Sequence, residues 1–292
     1  MKAPPFAYVR PATLDDVLAE LAGGDAKVLA GGQSLVPVLA MRLGRPATLV
    51  DITAVPELDG IENTAGGLRV GAAVRQRTVE RSAQARGVPL IRMAMPFVGH
   101  RELRSRGTVV GSLAHADPAA ELPAVASCVD AMIEIAGPAG RRTVPAGEFF
   151  VGAMTTGAGP EDLVVAVTFP AVRAGEGFGF AEIARRHGDF ALAGVAIRVR
   201  VAADGAVTHA RLTGFGVSDR PVTRDVTALL AAHPDETQLR PETARLSAEV
   251  VDTGGDAHGS TGYRRRLLGV LAARELAGAL RRARRAEQEV AA

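Results

Sequence analysis

The stretch that most constrains this chain is Ala30-Gly31-Gly32-Gln33-Ser34-Leu35, set between the apolar pair Val28-Leu29 and a second apolar run that begins at Leu35. Adjacent glycines let a backbone turn sharply and approach something bulky, because neither carries a Cβ. Ser34 reads as a helix N-cap. Leu35, Val38, Leu39 and Met41 to Leu43 recur at helical spacing, and Pro37 falls in the first turn, where its missing N–H costs little. A strand, a glycine turn and a helix start make a place where free N–H groups can meet an anion, phosphate being the usual guest. The same pattern also serves as a purely structural turn in many α/β chains. The rest of the sequence has to decide between the two.

The bulk properties narrow the field. A chain of 292 residues accommodates two domains, and 47% hydrophobic residues supply packed cores and exclude a disordered chain. A net charge of +2 indicates no nucleic-acid partner, and the cations are almost all arginine, with Lys2 and Lys27 the only lysines. Met1-Lys2-Ala3-Pro4-Pro5 leads into mixed polar sequence without an apolar core, which argues against a secretory leader. No run reaches the roughly 18 to 20 apolar residues of a membrane span. Cys128 is the single cysteine, so no internal disulfide forms and the expected compartment is the reducing cytoplasm. One thiol also cannot supply an iron–sulfur cluster or a cysteine zinc site.

Along the chain, Thr13 before Asp15-Asp16 and the apolar positions Leu14, Val17, Leu18 and Leu21 predict a helix over 12–22 that ends at Gly23-Gly24. Strands are expected at 48–52, 68–74, 129–136 and 163–169. A second small-residue stretch runs from Arg104 to Pro118, with Asp117-Pro118 expected as N-cap and first residue of a helix to about Ser127. Pro170 to Gly179 reads as a linker. Beyond it, apolar runs at 195–201 and 206–215 flank Ala203-Asp204-Gly205 and predict an antiparallel meander, followed by helices at 223–232, 241–250 and 263–284.

With both small-residue stretches in view, the chain resembles the FAD-binding medium subunit of molybdenum hydroxylases, the family of carbon monoxide dehydrogenase and xanthine dehydrogenase. The carriers are Ala30 to Leu35 with Leu49-Val50-Asp51-Ile52, then Arg106-Gly107-Thr108 and Gly111-Ser112-Leu113-Ala114-His115-Ala116-Asp117-Pro118-Ala119-Ala120-Glu121-Leu122-Pro123, then Gly188-Asp189-Phe190-Ala191 and Tyr263-Arg264-Arg265. The resemblance implies an α+β chain. Its FAD-binding domain, of the vanillyl-alcohol oxidase/p-cresol methylhydroxylase type, would span 1–172 with subdomains of about 1–53 and 54–172. A C-terminal domain of antiparallel sheet plus helices would follow at 177–285, then a polar tail at 286–292.

By the same resemblance, Ala30, Gly31, Gly32, Gln33, Ser34 and Leu35 contact the pyrophosphate. Thr108, Gly111, Ser112 and Ala114 line the second loop along the pyrophosphate, ribityl chain and flavin, and Asp117 accepts from a ribityl or ribose hydroxyl. Phe180 stands where relatives carry a tyrosine shielding the flavin, and Asp189 completes the set. The residues alone leave plainer roles open: an N-cap for Asp117, a turn for Asp189, a loop brace for Gln33. The arginines at 264–266 and 281–285 read as solvated helix faces or subunit contacts. The chain departs from the family pattern Thr-x-Gly-Gly at Thr108-Val109-Val110-Gly111, where β-branched Val110 resists positive φ and adds bulk.

The resemblance implies an electron-transfer flavoprotein subunit with no catalytic acid or base of its own. Electrons would reach FAD from iron–sulfur clusters on a small partner subunit, after oxidation at a molybdenum cofactor on a large one, and pass to an external acceptor. A dimer of heterotrimers is the expected assembly. Two alternatives stay open: a self-sufficient FAD oxidoreductase of the same fold, and a scaffold subunit with weakened FAD binding. A Rossmann nicotinamide site is disfavoured, because the first loop lacks Gly-x-Gly-x-x-Gly spacing.

Overall fold

The computed structural model of the chain describes residues 2–291. Its contacts divide into two compact units that do not follow the chain in order. One holds the chain up to Arg86 with His100–Ala116 and Ala131–Pro170, the other Gly87–Gly99, Asp117–Asp130 and the chain from Ala171 on.

The first unit contains two larger sheets. Strands β1 (Ala7–Val9), β2 (Ala26–Leu29) and β3 (Thr48–Asp51) lie parallel in the order β1-β3-β2, with Ala7 and Ala26 both registered on Thr48. The helix Leu14–Ala22 between β1 and β2 starts as expected, with the Thr13 hydroxyl accepting from the Asp16 N–H at 3.2 Å. The second sheet is built from β4 (Ile61–Thr64), β5 (Gly67–Gly71), β6 (Met132–Gly137), β7 (Gly140–Pro145) and β10 (Leu163–Phe169), antiparallel in the order β4-β5-β10-β6-β7. β8 (Phe150–Gly152) and β9 (Thr155–Thr156) form a separate small hairpin. The apolar run of β10 occupies the centre of its sheet, as its composition requires.

The second unit is organised on an antiparallel meander of β11 (Glu176–Ile183), β12 (Ala193–Val201), β13 (Val207–Phe215) and β14 (Val222–Asp225). The helices Glu236–Val250 and Thr261–Ala291 pack together, and the longer lies on β11 and β12. Leu268, Leu271 and Leu276 join Val195, Ile197 and Val199 in this core. The short helix Pro89–Ala94 packs on β11, and Glu121–Val129 on β12 and β13.

Four expectations change. The segment read as a linker is half strand: β11 begins at Glu176, and Gly177 and Gly179 let the long helix come so close that a Cβ would lie 2.2 Å from the Ala279 carbonyl or 2.9 Å from that of Glu275. The helix expected at 223–232 is β14 followed by a short helix, Thr227–Ala232. The last helix runs on through residues 286–291 of the expected tail, while residue 292 lies outside the described residues. Arg264 is buried rather than solvated. No helix among the described residues is long and apolar enough to cross a membrane.

Candidate functional site

In the first unit β2 delivers the chain into the glycine turn. A Cβ on Gly31 would lie 2.3 Å from the Arg106 carbonyl oxygen and 2.6 Å from the Gly107 Cα, so the first loop touches the second backbone to backbone. Gly32 takes φ +72°, the left-handed region that favours glycine. Among the described residues, nothing accepts from the N–H groups of Gly32, Gln33, Ser34 or Leu35. Gln33 Nε2 donates to the Gly31 carbonyl at 3.2 Å and braces the loop. Ser34 is not the N-cap expected of it. Its backbone is already helical, at φ −96° and ψ −46°, and its exposed hydroxyl caps nothing. The helix from Leu35 stops at Ala40, ahead of Leu43, because Arg42 turns left-handed at φ +61° and the Leu43 N–H returns to the Val38 carbonyl.

The second loop is fastened on its other side. The Arg75 guanidinium donates to the Arg106 carbonyl, and the Gln76 N–H donates to that of Gly107 at 2.8 Å. Thr108 is buried and caps the helix Val109–His115, its Oγ1 accepting from the Gly111 N–H at 2.9 Å. Gly111 is small for a local reason: a Cβ there would sit 2.6 Å from Thr108 Oγ1 and 3.7 Å from the Ala30 Cβ. The bulk expected at Val110 lies in the core. Val110 has ordinary helical backbone, needs no positive φ, and buries its side chain in the core. Ser112 is half-buried and Ala114 exposed on the same helix. The first unit thus brings Ala30 to Leu35 together with Thr108 and Gly111.

Asp117, Phe180 and Asp189 belong to the second unit. Asp117 does not cap a helix as expected. Its Oδ1 accepts from the Ala119 N–H at 2.8 Å in a tight turn, and the helix begins only at Glu121, after Ala120. Phe180 is buried on β11, its ring 5.4 Å from that of Phe97 and stacked at 5.6 Å on that of Phe215. Asp189 lies in the loop between β11 and β12, where its Oδ2 is buried without a hydrogen-bond donor, 3.5 Å from Arg185 Nη2.

Two residues escaped the sequence reading. Phe190, beside Asp189, exposes 64% of its surface and is the accessible aromatic of the motif. Glu182 also holds a buried oxygen, Oε2, without a partner, and burial together with the Glu121 carboxylate pushes its carboxyl up to about 8. The Phe190 signal was present in Gly188-Asp189-Phe190-Ala191, whereas the state of Glu182 depends on a helix distant in sequence. Cys128 is fully buried and its thiol is pushed up to about 12 by burial, so it is a packing residue. No group of three or more His, Cys, Asp or Glu among the described residues could hold a metal ion.

Unpartnered N–H groups on a glycine turn suit a pyrophosphate, and a buried carboxylate oxygen without a donor suits a sugar or ribityl hydroxyl. The glycine turn of the first unit, by itself, fits the pyrophosphate of a flavin dinucleotide. Residues 4–172 match the family model described as the FAD binding domain in molybdopterin dehydrogenase, and residues 178–279 match the CO dehydrogenase flavoprotein C-terminal domain. The chain is 36% identical over 97% of both lengths to the 6-hydroxypseudooxynicotine dehydrogenase complex subunit alpha of Paenarthrobacter nicotinovorans. It is 35% identical to the nicotine 6-hydroxylase medium subunit of the same organism, covering 92% of this chain and 95% of that one. Among solved structures, a carbon monoxide dehydrogenase from Hydrogenophaga pseudoflava, which lacks the Mo-pyranopterin moiety of the molybdenum cofactor, superposes with a TM-score of 0.89 at 30% identity, over 97% of this chain and 99% of that one. These matches span both domains in chain order, and the chain belongs to the family of FAD-binding flavoprotein subunits of molybdopterin dehydrogenases.

Proposed function

We propose that this chain is the FAD-carrying electron-transfer subunit of a multi-subunit molybdenum hydroxylase, partnered by a small iron–sulfur subunit and a large molybdenum subunit as a dimer of heterotrimers in the cytoplasm. The FAD-binding domain is read as 1–172, with subdomains of about 1–53 and 54–172, and the flavoprotein domain as 177–285. The observation that carries the reading is the glycine turn at Gly31-Gly32: among the described residues the N–H groups of Gly32, Gln33, Ser34 and Leu35 lack partners, and the turn's backbone lies against the second loop.

FAD held at these residues would supply the redox chemistry between the partner clusters and an external acceptor. The chain's own residues bind and orient. Ala30, Gly31, Gly32, Gln33, Ser34 and Leu35 offer amide donors to the pyrophosphate, the Gln33 brace holding their direction. Thr108, having accepted from Gly111, keeps its hydroxyl proton to donate, with Ser112 and Ala114 on the next turn. Asp117 and Asp189 accept from hydroxyls. Phe180, already stacked on Phe215, backs the aromatic cluster, and the exposed Phe190 ring offers the flat face that shields the isoalloxazine.

The test is to express the chain with its two expected partners and purify the complex. A flavin band near about 450 nm at one flavin per chain, with iron–sulfur and molybdenum subunits co-eluting, is the expected result. Absence of flavin from that complex overturns the proposal, and turnover of a substrate by the isolated chain transfers it to a self-sufficient oxidoreductase.

A further inference from the structure

Tyr263-Arg264-Arg265 reads in sequence as a charged helix face, yet Arg264 is only 6% exposed. Its guanidinium spends its donors inside the second unit. Nη1 donates to the carbonyls of Leu192 and Gly216, each at 2.6 Å, Nη2 to Asp256 Oδ2 at 2.6 Å, and Nε to the Gly259 carbonyl at 3.4 Å. Burying a cation is expensive unless it is paired and its donors are used. A planar fork with five donors is the side chain that can serve three carbonyls and a carboxylate at once.

Two of these acceptors, Leu192 and Gly216, stand at the feet of loops. The Leu192 N–H donates to the Ile183 carbonyl at 2.8 Å and closes the base of the loop that carries Asp189 and Phe190. Gly216 takes φ +70°, where a Cβ would lie 2.6 Å from the Ala191 carbonyl oxygen, and its N–H donates to the Pro118 carbonyl at 2.8 Å. A continuous path of hydrogen bonds therefore runs from the Asp117-Pro118 turn through Gly216 and Arg264 to Leu192.

We propose that Arg264 is a positioning residue that sets the spacing between the Asp117 turn and the Asp189-Phe190 loop, so that both meet one flavin nucleotide. This rests on the FAD reading above. Arg264 touches no ligand itself; it acts through the two loop feet.

The test uses the co-expressed complex, with FAD as probe and the visible circular dichroism of bound flavin as readout. Arg264→Met is expected to weaken FAD affinity at least about tenfold and to alter the flavin dichroism, because charged hydrogen bonds holding both loops are lost. Arg264→Lys keeps the charge but not the fork, and follows Arg264→Met. Gly216→Ala leaves the guanidinium intact but pushes on the same loop foot, and produces the same spectral change. Wild-type affinity and dichroism in folded Arg264→Met overturns the inference; if that variant does not fold, an unchanged spectrum in Gly216→Ala overturns it. A wild-type complex without flavin overturns the FAD reading itself and this inference with it.

Discussion

Gly31 is a residue whose identity alone dictates a close backbone approach. Two glycines after a short strand announce that approach at the right place in the chain; what they leave open is the neighbour, which is the Arg106 carbonyl of the second loop. Gly31→Ala is therefore expected to part the two loops, costing about 1–3 kcal/mol of stability and most of the FAD affinity. Gly60→Ala, where a Cβ meets nothing within 4 Å, should stay within about 0.5 kcal/mol. Thermal unfolding and FAD titration of the two variants side by side check this, and equal behaviour would sink it. Ser34 and Asp117 depart from expectation for a different reason. Both side chains are competent caps, but an N-cap works when its own backbone is extended, and Ser34 sits at ψ −46°. No local pattern of residues encodes that angle. Val110 carries the same lesson in reverse, since a β-branched residue alarming in a loop is unremarkable on a buried helical turn.

Among the strands of the two antiparallel sheets with four or more strands, the inner ones were legible and those at the edges were not. β10 and β12 are near-continuous apolar runs and sit inside their sheets. β4 and β7 carry exposed polar residues at the two edges of theirs, so they lack the alternation that announces a strand. The helix Glu121–Val129 is buried along its whole length, and its C-terminal end is held by ions. Arg198 donates to the Val129 carbonyl at 3.4 Å and to Glu176 Oε1 at 2.6 and 3.0 Å, while Arg211 pairs with Asp130. Cations at a helix C-terminus oppose its partial negative charge. Arg198→Met strands Glu176 in the interior and is expected to cost about 3–5 kcal/mol, read as a fall in urea midpoint. Adding Glu176→Leu should recover a good part of that loss, because no buried charge then remains unpaired. A lone Arg198→Met variant with the wild-type midpoint would show that the ion pair does not hold this element.

At the scale of the whole molecule these ionisable groups set how stability responds to pH. Asp51, Glu80, Asp162, Asp225 and Asp256 all lie below the ordinary carboxylate range. For Asp162 the Arg142 guanidinium is the largest cause, for Asp225 the Thr227 N–H and for Asp256 the His258 N–H; for Asp51 the Tyr8 and Thr53 donors, and for Glu80 the Arg104 and Arg77 donors, outweigh the opposing effect of burial. Their support is complete above the unfolded carboxylate value and is lost as pH falls through their lower folded values, so together they define the acid limb. Glu182 has the opposite sign. Burial, reinforced by Glu121, raises it from 4.5 to about 8, so the folded chain holds a proton there that the unfolded chain has already released. Between those two values the folded state binds more protons, and stability falls as pH rises. Below them both states are protonated and the residue costs nothing; above them the full penalty is present. Glu182→Gln removes the titrating group at nearly constant shape. Its melting temperature relative to wild type should therefore rise steadily from about pH 5 to about pH 9, by thermal unfolding of the full chain in matched buffers. A difference that does not vary with pH would mean that Glu182 ionises freely in the folded protein.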